Sequence, residues 1–166
     1  GHAIEGEFTL CFSSKPDKIW AHQYNFPITG FSYRIIDFGN REKIGLAHCF
    51  YPQVLFPVFK ESRLALLARL GLGIGYVEKP FDSENNYKNL TIGSHLNAAV
   101  LFGLQGRIRS SKRLQITGGI DFFHLSNGAS KVPNLGINIP SINFGLLYFG
   151  GKAIHCRRVL PEKVPS

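Results

Sequence analysis

The sequence of 166 residues has no methionine, a single tryptophan and only three cysteines. It also lacks a long apolar run, because its most apolar stretch, 64–72, is interrupted by Arg69 and Gly71. A membrane-spanning helix needs about 20 continuous apolar residues, so none is expected. Cys11, Cys49 and Cys156 are odd in number and too widely spaced for a zinc site, a C-x-x-C motif or a disulfide framework. We therefore expect no metal and no cofactor.

Acidic residues are in the minority, with 11 Asp and Glu against 19 Lys and Arg, which gives a net charge of +8. Such a balance suits a polyanionic partner. The basic residues are scattered along the chain and do not cluster on one helical face. This distribution argues against nucleic acid, and it favours anionic lipid head groups or a phosphorylated glycolipid.

No helical period, tandem repeat or low-complexity segment competes with the strand signals, which are separated by turn-forming clusters. Pro52 and Pro57 weaken the third strand, because proline cannot donate to a β-ladder. The predicted strands are 8–12, 31–36, 44–59, 64–77, 91–109, 114–124 and 139–149.

Apolar residues alternate with small or polar residues along the fourth and fifth predicted strands for longer than a usual globular strand. About 9–11 residues are needed for a tilted strand to cross a bilayer. A face that mixes glycine with long polar side chains suits the interior of a narrow barrel. The positions predicted to face lipid include Leu66, Leu70, Ile92, Val100 and Phe102, and those predicted to face inward include Arg69, His95 and Arg107.

These patterns predict an all-β protein, an antiparallel outer-membrane β-barrel of about eight strands; a soluble lipid-carrying barrel is the alternative. Glu7 and Asp121 have the inward parity and would neutralise the interior arginines. Seven strands are counted where an even number is expected, so 153–159 forms a short eighth strand or a strand lies outside this sequence. We assign 1–150 to the barrel and 151–166 to a basic tail or the start of a missing region.

A polar motif, His124-Leu-Ser126-Asn127-Gly128, ends the sixth strand, and Pro133-Asn134-Leu-Gly136-Ile-Asn138 follows it. A serine hydroxyl becomes a nucleophile when a neighbouring base takes its proton, and histidine suits that role near neutral pH. In an extended segment, His124 and Ser126 lie on the same face, which here is the lipid-facing one. Polar groups are costly there unless they meet one another or a head group. The alternative is a strand that ends in an ordinary polar turn.

The pattern H-x-S-N-G-x(4)-P-N-x-G-x-N resembles the active-site signature of the PagL-type lipid A deacylases, which remove an ester-linked acyl chain from lipid A. Segments 73–82 and 86–97 resemble the Bacteroidetes branch of that family, the acyloxyacyl hydrolases. The resemblance extends over 1–150. It implies an eight-stranded barrel in the bacterial outer membrane, with its site on the outer wall and with lipid A, or lipopolysaccharide, as its partner.

The resemblance also implies residue roles. Ser126 would be the nucleophile and His124 the general base, while Asn134 would donate to the oxyanion and Asn127 would support the loop. Lys131 would hold a substrate phosphate.

Position 138 departs from the family pattern, because Asn138 stands where the best-known members carry a glutamate. An amide oxygen can accept the imidazole N–H and fix its tautomer, but it carries no charge to stabilise the imidazolium. In the serine-protease template, loss of that charge costs about four orders of magnitude in rate. The loop residues Asp82 and Glu84 are the alternative carboxylates.

These observations leave three alternative hypotheses for the function. The first is an outer-membrane esterase that acts on lipid A by a Ser/His mechanism. The second is a non-catalytic barrel, structural or lipopolysaccharide-binding, which the amide at Asn138 favours. The third is the soluble lipid carrier.

Overall fold

In a computed structural model, which describes residues 2–15 and 17–150, the protein is a single sheet of seven strands curled into a half-barrel. Each strand pairs antiparallel with the next one along the chain. This is the fold expected for an outer-membrane β-barrel of about eight strands. The elements are β1 (Ile4–Ser13), α1 (Ile19–Gln23), β2 (Ile28–Asp37), β3 (Leu46–Lys60), β4 (Leu64–Val77), β5 (Leu96–Arg109), β6 (Leu114–Ser126) and β7 (Ile137–Tyr148).

None of the helices in the described ranges is long and apolar enough to cross a membrane.

All seven predicted strands are present, and β4 has the predicted bounds. The proposed eighth strand, 153–159, and the rest of 151–166 lie outside the described residues. The helical turn α1 was not predicted, and the register of β3 against β4 shifts between Pro57 and Phe59.

The start of the fifth strand was predicted wrongly. Since β4 ends at Val77 and its last partner in β5 is Leu96, residues 91–95 have no strand beside them to pair with. Ile92 is fully buried in the core and does not face lipid, and His95 is exposed and does not face inward. The His95 Nδ1 lies 2.8 Å from the Val77 carbonyl oxygen, which ties the imidazole to the strand end.

The two faces of the sheet have the predicted polarity. Arg69 is 3% exposed, whereas its neighbour Leu70 is 42% exposed and Phe102 is 55% exposed. Val100 is half-buried on the same outer face. An apolar outer wall with charged residues inside is the reverse of a soluble barrel and the arrangement of a membrane barrel.

The interior holds a network of charges that crosses the barrel. Asp121 Oδ2 accepts from Arg34 Nη2 at 2.8 Å and from Arg69 Nη1 at 3.0 Å, and Glu7 contacts both guanidinium groups. The predicted neutralisation is therefore confirmed for Arg69, and Arg34 is an additional partner. For Arg107 it is wrong, because its Nε instead donates to the Gln105 amide oxygen at 2.9 Å.

The two ends of the barrel differ. One end has the short connections 61–63 and 110–113 together with the β1–β2 connection that contains α1, whereas 38–45, 78–95 and 127–136 lie at the opposite end. Ile92 of the 78–95 loop packs with Leu125 and Ile139 in the buried core cluster just below. This anchors the 78–95 loop beside the β6–β7 connection, where the candidate site lies.

Candidate active site

His124 and Asn138 are direct partners in the β6–β7 ladder, so the strand register brings their side chains together on the outer wall. Asn138 Oδ1 lies 2.7 Å from His124 Nδ1. Because an amide oxygen can only accept, Nδ1 carries the proton and Nε2 is the basic nitrogen. The contact predicted between Asn138 and the imidazole is thus present.

Ser126 follows His124 by two residues on the same face and pairs with Ala98 of β5. Its Oγ accepts from the Gly128 backbone N–H at 3.2 Å and from Asn134 Nδ2 at 3.0 Å. Within the described residues, no direct hydrogen bond joins the His124 imidazole to this hydroxyl. Two residues of a strand span roughly 6.6 Å, so a side-chain rotation is needed to bring Nε2 onto Oγ.

The chain reverses directly after Ser126 and points a backbone donor back at it. Gly128 and Ala129 have φ values of 63° and 60°, and the Ser130 N–H donates to the Asn127 carbonyl oxygen at 3.2 Å. Two successive residues with positive φ are typical of a type I′ turn. The Gly128 N–H could not be predicted from the sequence, since a backbone donor leaves no side-chain signature.

One hydrogen bond joins the two loop asparagines. The Asn127 N–H donates to Asn134 Oδ1 at 3.3 Å, which leaves Asn134 Nδ2 directed at Ser126. Asn127 Nδ2 donates to the Lys131 carbonyl oxygen at 2.8 Å and to Ser94 Oγ at 2.9 Å. The amide group that donates to the serine is therefore fixed in orientation from its far side.

Gly136 lets the loop backbone pass close beside the imidazole. Its φ is +75°, and an added Cβ would lie 3.1 Å from His124 Cε1. Both the backbone conformation and the close approach therefore require glycine at this position.

Lys131 is exposed at the tip of the loop, on the side of Asp82. Backbone N–H groups of Asn85 and Glu84 hold the pKa of the Asp82 carboxyl below its usual value, and the Lys131 ammonium acts in the same direction. Asp82 is thus engaged in its own turn, and in the described part of the chain neither it nor Glu84 contacts His124. Of the residues that the structure describes, only Asn138 hydrogen-bonds to the imidazole, at the position where a triad acid would lie.

An apolar groove of about 730 Å³ runs along the outer wall below these residues. Phe122 precedes His124 by two residues, and Pro140 follows Asn138 by two. The two residues pair in the β6–β7 ladder and lie on the same outer face as His124 and Asn138. The groove is lined further by Leu70, Phe102, Leu104, Ile120 and Ile142. Polar, potentially reactive groups thus lie at the upper end of an apolar surface.

Across the described ranges, no group of three or more His, Cys, Asp or Glu side chains is arranged to hold a metal ion.

An antiparallel sheet with an apolar outer wall and charged residues inside is the architecture of an outer-membrane β-barrel, and here a histidine, a serine and three amides gather at one end of that wall. A family model described as lipid A 3-O-deacylase (PagL) matches residues 8–146. The chain therefore belongs to this family, whose members are outer-membrane hydrolases that deacylate lipid A. No curated protein and no solved structure matched the chain.

Proposed function

We propose that this protein is a serine esterase of the bacterial outer membrane that removes the ester-linked 3-hydroxyacyl chain at the 3-position of lipid A. Ser126 is the nucleophile, His124 the general base and Asn138 the neutral group that orients the base. The observation that carries the proposal is the 2.7 Å contact between Asn138 Oδ1 and His124 Nδ1, because it leaves Nε2 basic on the face that also carries Ser126.

In the first half of the reaction, Ser126 Oγ attacks the ester carbonyl carbon while His124 Nε2 takes its proton. The carbonyl oxygen becomes an oxyanion, and the Asn134 Nδ2 and Gly128 N–H groups, which donate to Oγ in the free enzyme, then donate to it. The tetrahedral intermediate then expels the sugar oxygen, which takes the proton from the imidazolium. Asn138 holds the ring in place but adds no charge, so we expect slower turnover than with a carboxylate.

In the second half, water attacks the acyl-serine and His124 again takes the proton. The fatty acid leaves, and Ser126 recovers its hydrogen from the imidazolium. The acyl chain would lie along the apolar groove below the site, and Lys131 would bind a glucosamine phosphate beside the loop.

A non-catalytic, lipopolysaccharide-binding barrel is the second candidate. Two features favour it, namely Asn138 in place of a carboxylate and the absence of a His124–Ser126 hydrogen bond among the described residues. It predicts binding of lipid A without release of fatty acid.

Mass spectrometry of lipid A incubated with the purified protein in detergent separates the two candidates. The esterase releases one 3-hydroxy fatty acid and leaves lipid A lighter by that chain. Ser126→Ala should abolish the release, while Ser130→Ala, in the same exposed turn, should leave it unchanged. Intact lipid A after prolonged incubation with the wild-type protein would support the binding barrel instead.

A further inference from the structure

We propose that Ser94, in the β4–β5 loop, is a positioning residue that acts on the nucleophile through the two loop asparagines. This inference rests on the function proposed above. Ser94 lies 32 positions before Ser126 in the sequence, and nothing in the motif that contains His124 and Ser126 points to it.

The Ser94 hydroxyl is held on both sides. Its single O–H hydrogen is shared between two acceptors, the Leu96 carbonyl oxygen at 3.0 Å and Asn97 Oδ1 at 3.2 Å. Its oxygen accepts from Asn127 Nδ2 at 2.9 Å. Asn97 is only 5% exposed, and its Nδ2 donates to the Ser94 and His95 carbonyl oxygens at 2.9 and 3.0 Å. The Ser94 hydroxyl, which accepts a hydrogen bond from the Asn127 side chain, therefore has a fixed position.

Hydrogen bonds on the side chain and on the backbone of Asn127 connect Ser94 to the nucleophile. Asn127 contacts Ser94 through its side chain and Asn134 through its backbone N–H, and Asn134 Nδ2 donates to Ser126 Oγ. The remaining N–H of the Asn127 side chain goes to the Lys131 carbonyl oxygen. Ser94 and Lys131 together thus fix the Asn127 side chain and so the position of this residue, whose backbone N–H holds the Asn134 amide that donates to Ser126.

The loop that carries Ser94 is suited to such a role because it is firmly anchored. Ile92 is fully buried, and the nearly buried Asn89 donates to the Lys79 carbonyl oxygen at 2.8 Å. The two loops also touch closely: a Cβ on Gly93 would lie 2.7 Å from the Pro133 carbonyl oxygen, and the Gly136 N–H donates to the Thr91 carbonyl oxygen at 3.0 Å. The anchored 78–95 loop can therefore hold the neighbouring 127–136 loop, which contains the sharp turn after Ser126, in a fixed orientation.

Steady-state hydrolysis of lipid A by Ser94→Ala, Ser94→Thr and the control Ser111→Ala tests the inference. Ser111 also accepts backbone hydrogen bonds, but at the opposite end of the barrel. Loss of one hydrogen bond to the Asn127 amide should lower kcat about tenfold and leave KM within about twofold. Ser94→Thr keeps the hydroxyl and should restore kcat, and Ser111→Ala should match the wild type. A fluorophosphonate titration of Ser126 counts the competent molecules, so that a loss of folded protein is not read as a loss of kcat.

The inference is overturned if Ser94→Ala has the wild-type kcat per titrated site, if Ser94→Thr is as slow as Ser94→Ala, or if only KM changes. Should Ser94→Ala fail to fold, Ser94→Cys replaces it, since a thiol of similar size is a weak acceptor. Ser126→Ala is assayed in parallel. If it is inactive while Ser94→Ala is unimpaired, only the role of Ser94 fails; if it remains active, the serine mechanism and the role of Ser94 fail together.

Discussion

Strand β6 carries two polar clusters on its opposite faces, three residues apart. On the inner face, the fully buried carboxylate of Asp121 accepts from Arg34 and Arg69, which also share Glu7. On the outer face, His124 has one hydrogen bond, to Asn138, and its other ring nitrogen has no hydrogen bond to any described residue. The inner cluster pairs charges with charges, whereas the outer cluster is built from neutral side chains.

The difference reflects what each environment demands. A buried charge is costly unless it is paired, so Arg34 and Arg69 are matched with carboxylates, and these ion pairs hold the strands in register. A catalytic site must instead leave a basic nitrogen and a nucleophilic oxygen available to substrate. Changes on the inner face should therefore alter stability, and changes on the outer face should alter turnover.

His124→Gln should have the largest effect on activity. Removing the base from a serine mechanism costs at least about a thousandfold in turnover, while a half-exposed side chain on the outer wall contributes little to folding. Lipid A hydrolysis and guanidinium unfolding in detergent measure the two quantities. His48→Gln is the matched control, because His48 is another outer-wall histidine, with its Nδ1 2.8 Å from the Tyr33 hydroxyl. Turnover above a tenth of the wild-type rate in His124→Gln would contradict the assignment of the base.

Asp121→Asn should have the opposite signature. It removes a buried charge that two guanidinium groups contact, and breaking such a pair typically costs about 3–5 kcal/mol. We expect the free energy of unfolding to fall by about that amount, with kcat per folded molecule close to the wild-type value. Asp37→Asn is the control, since its partner Arg41 is exposed and such pairs contribute about 0–1 kcal/mol. A variant as stable as the wild type, but slow, would mean that the two faces are coupled.

The sequence was most informative where the period-two pattern applied. Alternation alone placed Arg69 inside and Leu70 outside. Comparison with the family pattern predicted that Asn138 contacts the His124 imidazole, and the ladder register produces that contact. The pattern failed at Ile92 and His95, because an apolar–polar alternation continues there past the end of the partner strand.

The features of the site that could not be predicted from the sequence lie in the loops. Ser94 and the Gly128 N–H act through hydrogen bonds between segments distant in sequence or through the backbone, neither of which leaves a periodic signal. The partner of Arg107 was also predicted wrongly, because parity gives the face of a residue but not its height along the barrel.

Asn138→Ala should lower kcat by about ten- to a hundredfold, because the imidazole loses the acceptor that fixes its tautomer. Asn138→Glu should raise kcat above the wild-type value, since Asn138 is exposed and a carboxylate there would stabilise the imidazolium at little desolvation cost. Initial rates of fatty-acid release from lipid A measure both effects. Equal rates for the wild type and both variants would show that position 138 does not orient the base.

Lys131→Gln should have the smallest effect, and it should fall on KM. The side chain is exposed at the loop tip, and only its backbone carbonyl oxygen belongs to the hydrogen-bond network around Ser126. Losing an exposed cation weakens attraction to a phosphate by about a few-fold at moderate salt, and less at high salt. We expect a two- to fivefold higher KM for bisphosphorylated lipid A, an unchanged kcat, and no difference from the wild type on a dephosphorylated substrate. Lys112→Gln, at the far end of the barrel, is the control. A fall in kcat, or an equal rise in KM on the dephosphorylated substrate, would mean that Lys131 acts by holding the loop and not by binding phosphate.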